Sequence, residues 1–203
     1  MQAFPVTDFE ALFRNPHILT ILGNYWPRKY DFGAFPMTSR FVQTEPGVQV
    51  LVQTQSPVGE SRGELVLVHG LEGSGESGYM VSLTHRALTE GFTVHRFHMR
   101  TCGGTEHLCS TLYHAGLTSD LISFLEQNRS ARPLFLVGFS LGGNVVLKAA
   151  AETGGEFIAG VCTVGAAIDL AAGAKRLNAL ENRLYESRFV SRMKERLIRT
   201  RCV

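Results

Sequence analysis

The sequence predicts an α/β fold in which a mostly parallel sheet is covered by helices on both faces. Short apolar segments typical of buried strands alternate with longer amphipathic segments typical of helices between residues 47 and 168. These strands are apolar at nearly every position, as expected for strands buried on both faces. With 203 residues, of which 44% are hydrophobic, the chain is long enough for one domain with a sizeable core.

The elements are predicted in a regular order. Strands are expected at GVQVLVQTQ, GELVLVHG, FTVHRFHMR, PLFLVGF and FIAGVCTVGAAI, and helices at YMVSLTHRALTEG, TSDLISFLEQNRS and LGGNVVLKAAAE. Gly91 is placed to end the first of these helices, and Thr118 or Ser119 to begin the second. After Asp169 the strands stop, and leucines at steps of three and four predict amphipathic helix.

Composition divides the chain into three parts. Residues 1–40 are rich in aromatic residues and prolines, which favours an arm or short helix packed on a larger body. Residues 41–169 contain the alternation of strands and helices and predict the core. Residues 170–203 are helical in pattern and carry nine Lys/Arg against three Glu. This basic end favours either a peripheral contact with a membrane surface or an acidic partner, or is simply a solvated helix face.

Charge and cysteine usage exclude several classes of protein. A net charge of +2 gives no case for a nucleic-acid partner, and no stretch reaches the roughly 18 apolar residues that span a bilayer. The four cysteines form no C-x-x-C pair, and the N-terminal MQAFPVTDFE has acids where a secretory leader has basic and apolar residues. We therefore expect free thiols and a cytoplasmic location.

The segment LFLVGFSLGGNVVLKAAAE predicts a nucleophile elbow at Ser140. An apolar strand enters a Gly-x-Ser-x-Gly turn and a helix leaves it, which exposes the serine hydroxyl at the end of the strand. Gly138 and Gly142 suit this turn because larger side chains would collide with the neighbouring strand and helix. The Leu141 N–H, at the start of the helix, is a candidate donor to an oxyanion. The alternative is that the glycines only close a tight turn.

A second glycine-rich turn follows the strand that ends in VHG. Hydrolases with a nucleophile elbow take their other oxyanion donor from a loop of this kind, here the Leu71 N–H after His69 and Gly70. A flexible connector is the alternative. A phosphate-binding loop is disfavoured because the lysine and Ser/Thr of a Walker motif are absent.

Six segments in order, NPHILTIL, HGLEGS, RTCGGT, YHAGLTSDL, GFSLGGNVVLK and AIDL, resemble the YheT-like branch of the α/β-hydrolase superfamily, a group of esterases and lipases. The resemblance implies an α/β-hydrolase core over residues 41–169 and the start of a helical cap over residues 170–203. It implies Ser140 as nucleophile, oxyanion donors at Leu71 and Leu141, and supporting residues at His69, Gly70, Gly138, Gly142 and Gly143. Thr101 departs from the family pattern, which has glycine there.

The triad of this superfamily runs Ser, acid, His along the chain, yet one aspartate, Asp169, and no histidine follow Ser140. Relatives continue into further strands that carry the acid and the base, so the resemblance implies a partial core that lacks the last strands. We expect the base outside these 203 residues, with Val161–Val164 forming an apolar edge strand. Alternatives are His69, His98 or His114 as base and Asp169 as acid.

Other chemistries are weaker candidates. Cys102 is a possible reactive thiol, and His107 with Cys102 and Cys109 fits no standard zinc spacing. The sequence predicts no cofactor and no metal. It favours a hydrolase of carboxylic esters, acting on lipids or on small esters with short or medium acyl chains, and little activity for this chain alone. An inactive module that binds or interacts, and an enzyme for thioester hydrolysis or transacylation, remain as alternatives.

Overall fold

The computed structural model describes residues 14–26 and 29–201, so the segment MQAFPVTDFE lies outside the described residues. Within these described residues, six strands form one sheet: β1 (Met37–Glu45), β2 (Val48–Gln55), β3 (Glu64–Val68), β4 (Thr93–Phe97), β5 (Leu134–Phe139) and β6 (Gly160–Val164). The same part of the chain contains six α-helices: α1 (Pro16–Tyr25), α2 (Gly78–Thr89), α3 (Ser119–Gln127), α4 (Leu141–Glu152), α5 (Leu170–Leu177) and α6 (Arg183–Arg201).

The order of the strands across the sheet is β1-β2-β4-β3-β5-β6. β3 pairs in parallel with both β4 and β5, and β5 pairs in parallel with β6. β1 and β2 form an antiparallel pair at one edge, and β2 is also antiparallel to β4. The parallel strands therefore end together at one edge of the sheet, where the loops after β3, β4 and β5 meet.

The predicted alternation of strands and helices is confirmed, but β1 is not among the predicted strands. It runs across the boundary between the predicted arm and the predicted core at residues 40 and 41. Five of its nine residues are exposed in a row, so its sequence lacks the apolar alternation that marks a half-buried strand. Pairing with β2 decides its conformation.

Two apolar layers cover the two faces of the sheet. One consists of buried residues of the strands with α3 and α4, including Val66, Phe97, Leu121, Leu136 and Val146. The other is smaller and packs α2 against the opposite face, with Leu67, Met80, Leu88, Val94 and Val137. The alternation of Val66 and Leu67 between the layers follows from the two-residue period of a strand. Helices on both faces were predicted and are present.

Several helix ends match the sequence signals. Gly91 follows α2 with a φ of 85°, and its N–H donates to the Leu88 carbonyl at 3.1 Å, so it ends the helix as expected. Thr118 is the N-cap residue of α3, but its hydroxyl makes no capping bond and donates to the Glu152 carboxylate. The Thr118 side chain therefore makes a tertiary contact with α4 and does not cap its own helix.

β6 forms the other edge of the sheet within the described part of the chain. Val161 and Val164 are exposed, as is Ile168 beyond the strand. An apolar strand at an open edge is a surface for pairing with another strand. Among the helices in the described part of the chain, none combines the length and the apolar composition that a membrane span requires.

Candidate active site

Ser140 alone forms the turn between β5 and α4. Its backbone has φ 51° and ψ −120°, a conformation that residues other than glycine rarely adopt, and its side chain is exposed. The Ser140 N–H donates to the Val164 carbonyl at 2.8 Å, and the Ser140 carbonyl accepts from the Gly143 N–H at 2.8 Å. Hydrogen bonds to β6 and to the first turn of α4 thus hold a strained residue at the edge of the sheet.

The glycines around this turn each have a steric reason. A Cβ on Gly138 would lie 2.4 Å from the Gly142 carbonyl oxygen. A Cβ on Gly142 would lie 2.3 Å from the His69 carbonyl oxygen. A Cβ on Gly143 would lie 2.7 Å from the Ala166 Cβ. Strand, helix and neighbouring loops therefore approach more closely here than any side chain permits.

The loop after β3 lies directly opposite Ser140. A Cβ on Gly70 would be 3.2 Å from the Ser140 Cβ and 3.3 Å from the Phe139 carbonyl oxygen, so a side chain at this position would crowd Ser140. The Gly70 N–H donates to the Tyr79 hydroxyl at 3.0 Å, and the Glu72 N–H donates to the Tyr113 hydroxyl at 2.7 Å. The Leu71 N–H, between them, donates to no other described residue. Leu141 is the first residue of α4, where the amide has no partner inside the helix.

His69 is fully buried beneath this loop, and both of its ring nitrogens are engaged. Its Nδ1–H donates to the Gly70 carbonyl at 2.8 Å, and its Nε2 accepts from the Met99 N–H at 3.2 Å. This arrangement fixes the neutral tautomer with the proton on Nδ1. Burial lowers the pKa of His69 to about 4; the hydrogen bond to the Gly70 carbonyl opposes this in part, and the positive charge of Arg196 adds a smaller lowering.

His98 is buried one residue beyond β4 and is also engaged at both nitrogens. Its Nε2–H donates to the Gln53 side chain at 3.1 Å, and its Nδ1 lies 3.4 Å from the Gly75 N–H. Burial lowers its pKa to about 3, with further contributions from His69 and Arg96. His69 and His98 thus hold the loops in place as neutral side chains. All four of their ring nitrogens are engaged, so none is left to accept a proton from Ser140.

Comparisons with known proteins identify the family and the fold. A model of the alpha/beta hydrolase fold family matches residues 64–189. The chain belongs to the α/β-hydrolase fold family. YheT of Escherichia coli (strain K12), a protein assigned as an esterase, is 30% identical over 148 residues, which are 71% of this chain and 43% of YheT. The chain therefore spans less than half the length of this relative.

Solved structures show the same fold. A thermostable carboxyl esterase from Bacillus coagulans has a TM-score of 0.56 at 21% identity, covering 74% of this chain and 51% of the esterase. A soluble variant of monoglyceride lipase from Saccharomyces cerevisiae has a TM-score of 0.57 at 22% identity, covering 70% and 49%. The Pyrococcus furiosus esterase Pf2001 has a TM-score of 0.60 at 21% identity, covering 75% and 61%.

In this α/β-hydrolase, the side chains of the remaining candidates, His114 and Asp169, accept hydrogen bonds from nearby backbone N–H groups. The Asp120 carboxylate, near His114 in the sequence, accepts two hydrogen bonds of 2.7 Å from Arg100. His114 accepts from the Gly116 N–H at 3.2 Å. The Asp169 side chain accepts from the Ala172 N–H at 2.9 Å and so caps α5.

The two cysteine candidates, Cys102 and Cys109, are both buried. Burial raises the pKa of Cys102 to about 12, so its thiol stays protonated. Cys109 is buried and also has a raised pKa, mainly because of burial. Within residues 14–26 and 29–201, no group of His, Cys, Asp and Glu side chains is arranged to hold a metal ion.

A buried ion pair between Glu72 and Arg196 was not predicted from the sequence. Arg196, from α6, places Nε and Nη2 at 3.0–3.2 Å from the Glu72 carboxylate, and both side chains are over nine-tenths buried. Tyr113 donates to the same carboxylate at 3.0 Å. Arg196 also donates to the Thr101 carbonyl. Nothing in the sequence distinguishes Arg196 from its basic neighbours, because only packing turns it inward.

The presence of threonine at position 101, where the family pattern has glycine, has two structural consequences. Its φ is 64°, in the left-handed region that glycine tolerates and that a β-branched residue rarely adopts. Its hydroxyl is buried without a hydrogen-bond partner among the described residues. Thr101 therefore carries both backbone strain and an unsatisfied polar group, and the Arg196 bond to its carbonyl helps to hold it in place.

The neutral histidines predict a loss of stability in mild acid. The pKa of His69 is about 4 and that of His98 about 3 in the folded chain, against 6.5 ordinarily, so the unfolded chain takes up protons first as the pH falls. The stability gained by keeping these two histidines neutral is fully present above about pH 7, and it is lost progressively as the pH falls below about 6.5. We expect a loss of roughly 2 to 4 kcal/mol between pH 7 and pH 5.

Urea unfolding at pH 7, 6 and 5 measures this loss. The variant His107→Gln is the control, because it removes an exposed histidine and leaves both buried histidines in place. An unfolding free energy that stays constant from pH 7 to pH 5 would contradict the assignment of His69 and His98 as neutral groups.

Proposed function

We propose that this chain contributes the nucleophile and the oxyanion site of a carboxylic ester hydrolase. Ser140 is the nucleophile, and the N–H groups of Leu71 and Leu141 are the oxyanion donors. The observation that carries the proposal is the left-handed backbone of an exposed Ser140 at a strand–helix turn, held against the glycine loop after β3. The esterase and lipase names of the relatives support the same reaction class.

The reaction proposed is acyl transfer through the serine oxygen. The Ser140 Oγ attacks the ester carbonyl carbon, and the carbonyl oxygen becomes an oxyanion that accepts hydrogen bonds from the two amides. A base takes the serine proton, the alcohol leaves, and water then releases the acid from the acyl-enzyme. The proposal assigns this base to neither His69 nor His98, since their nitrogens are engaged and their pKa values are low.

We expect the chain alone to be slow, because removing a triad member of a serine hydrolase costs on the order of 10⁴- to 10⁶-fold in rate. Free imidazole in the buffer supplies a substitute base. With p-nitrophenyl butanoate, imidazole is expected to raise nitrophenol release and to produce a protein whose mass increases by one butanoyl group on the peptide that contains Ser140.

Two serine variants control this experiment. Ser140→Ala is expected to abolish both the added mass and the protein-dependent part of the imidazole effect. Ser187→Ala removes an exposed hydroxyl of α6 and is expected to change neither. Equal acylation of the original chain and of Ser140→Ala would overturn Ser140 as the nucleophile.

The engagement of both buried histidines also favours a second candidate function. In this alternative the chain binds an ester in the same site without turning it over. Saturable binding of the ester in buffer with imidazole, with no acyl group on the Ser140 peptide, would support it over the hydrolase.

A further inference from the structure

A cavity of about 350 Å³ lies between the loop after β3, the start of α2 and one face of α6. Its walls include Leu71, Glu72 and Gly73 from the loop and Tyr79 from α2. From α6 the wall residues are Tyr185, Arg188, Phe189 and Arg192. The spacing of three and four residues places these four side chains on one helix face.

The cavity adjoins the proposed oxyanion site. Leu71, the proposed donor, is part of its wall. The Tyr79 hydroxyl accepts from the Gly70 N–H at 3.0 Å, and its ring packs on Phe139, next to Ser140, at 4.6 Å between centroids. A ligand with its carbonyl at Ser140 can therefore extend past Tyr79 into the cavity.

The charges on the walls favour an anionic ligand. Arg188 and Arg192 lie one helical turn apart on the α6 side. Glu72 is the acidic residue of the wall, but its carboxylate is held by Arg196 and by the Tyr113 hydroxyl. The negative charge of Glu72 is thus offset from outside the cavity, and Arg188 and Arg192 leave the wall with an excess of positive charge.

Arg196 also fixes which face of α6 meets the cavity. Because it lies four residues after Arg192 and is anchored on Glu72, the preceding turns present Tyr185, Phe189 and Arg192 to the same loop. The cavity therefore combines aromatic walls with a guanidinium group. Arginine binds anionic oxygens through its planar set of N–H donors, while the aromatic rings suit an alkyl chain.

We propose that this cavity binds the anionic part of the substrate, so that the preferred substrates are carboxylic esters that also carry a phosphate or carboxylate group rather than neutral glycerides. This rests on the proposed function for its link to Ser140. The binding site itself does not depend on catalysis. Because Arg188 makes a further interaction within the protein, the test is placed on Arg192.

Hexyl phosphate, 1-hexanol and inorganic phosphate are the probes, with binding measured by calorimetry on the full chain and on Ser140→Ala. Hexyl phosphate is expected to bind at least about tenfold more tightly than either of the others, since it satisfies both the guanidinium and the aromatic walls. Arg192→Gln is expected to weaken hexyl phosphate about five- to tenfold and to leave hexanol unchanged. Arg199→Gln, on the same helix but paired with Glu106, is the matched control and is expected to have no effect.

Three results would overturn the proposal. Equal affinity for hexyl phosphate and hexanol would remove the anionic preference. Inorganic phosphate binding as tightly as hexyl phosphate would indicate a site for free phosphate instead of an amphiphilic ester. Equal losses in Arg192→Gln and Arg199→Gln would indicate general attraction to a basic helix. Binding of hexyl phosphate by the original chain, together with a failure of that same chain to acquire an acyl group on Ser140, would refute the hydrolase but leave the anionic cavity standing.

Discussion

Replacing Gly142 by alanine is expected to lower the free energy of unfolding by at least about 3 kcal/mol. Alanine is intrinsically better than glycine inside a helix by about 1 kcal/mol, which works in the opposite direction. The new Cβ, however, would lie 2.3 Å from the His69 carbonyl oxygen and 2.5 Å from that of Val68. Both are backbone atoms of β3 and its loop, so α4 can accommodate the methyl group only by moving away from the sheet.

Gly173→Ala is the matched control for this prediction. Gly173 also lies in a helix, α5, and its added Cβ would meet only the Ala167 Cβ, at an ordinary 3.9 Å. We expect this variant to be unchanged or stabilised by up to about 1 kcal/mol. Urea unfolding of both variants measures the difference. A Gly142→Ala variant as stable as Gly173→Ala would show that α4 does not approach β3 as closely as described.

Replacing Arg196 by methionine is expected to cost about 3 kcal/mol of stability. Methionine retains much of the apolar volume, but the Glu72 carboxylate then stays buried and, among the described residues, keeps Tyr113 as its remaining side-chain donor. A buried charge that has lost its partner is much more costly than a missing surface ion pair. The Thr101 carbonyl loses its donor in the same substitution.

Arg199→Met provides the comparison, since its pair with Glu106 spans 3.4 Å and its side chain is mostly exposed. This variant is expected to change stability by less than about 1 kcal/mol. Combining Arg196→Met with Glu72→Gln is expected to cost less than the two single changes together, because the second removes the stranded charge. Full additivity of the two changes in urea unfolding would contradict a direct coupling between Glu72 and Arg196.

Most of the parallel core could be predicted from the sequence because its signals are local. Apolar runs mark β3 and β5, and the Gly-x-Ser-x-Gly pattern marks the turn between β5 and α4. β1 was missed because its exposed side chains give no apolar alternation. The cap hydrogen bond expected from Thr118 was also absent, because the hydroxyl found a partner on α4 that is distant in the sequence.

The candidate site likewise contains residues that local sequence signals reveal and residues whose role depends on the tertiary structure. Ser140 and the glycines beside it were found from spacing alone, since a tight strand–helix turn demands small residues at fixed positions. The histidines could not be assigned from spacing, because a catalytic and a structural imidazole look identical in a sequence. Their hydrogen bonds to Gly70, Met99 and Gln53, together with burial, make them neutral supports.

By itself, the sequence determined the order of strands and helices and the position of the strained serine, because both depend on residues close together along the chain. The tertiary structure alone decided which charges are buried and paired. Arg196 and Glu72 are 124 residues apart in the sequence, and they meet because α6 packs on the loop after β3. Their pairing sets the charge of the neighbouring cavity, since desolvation and partner geometry, not residue type, fix what a buried charge can do.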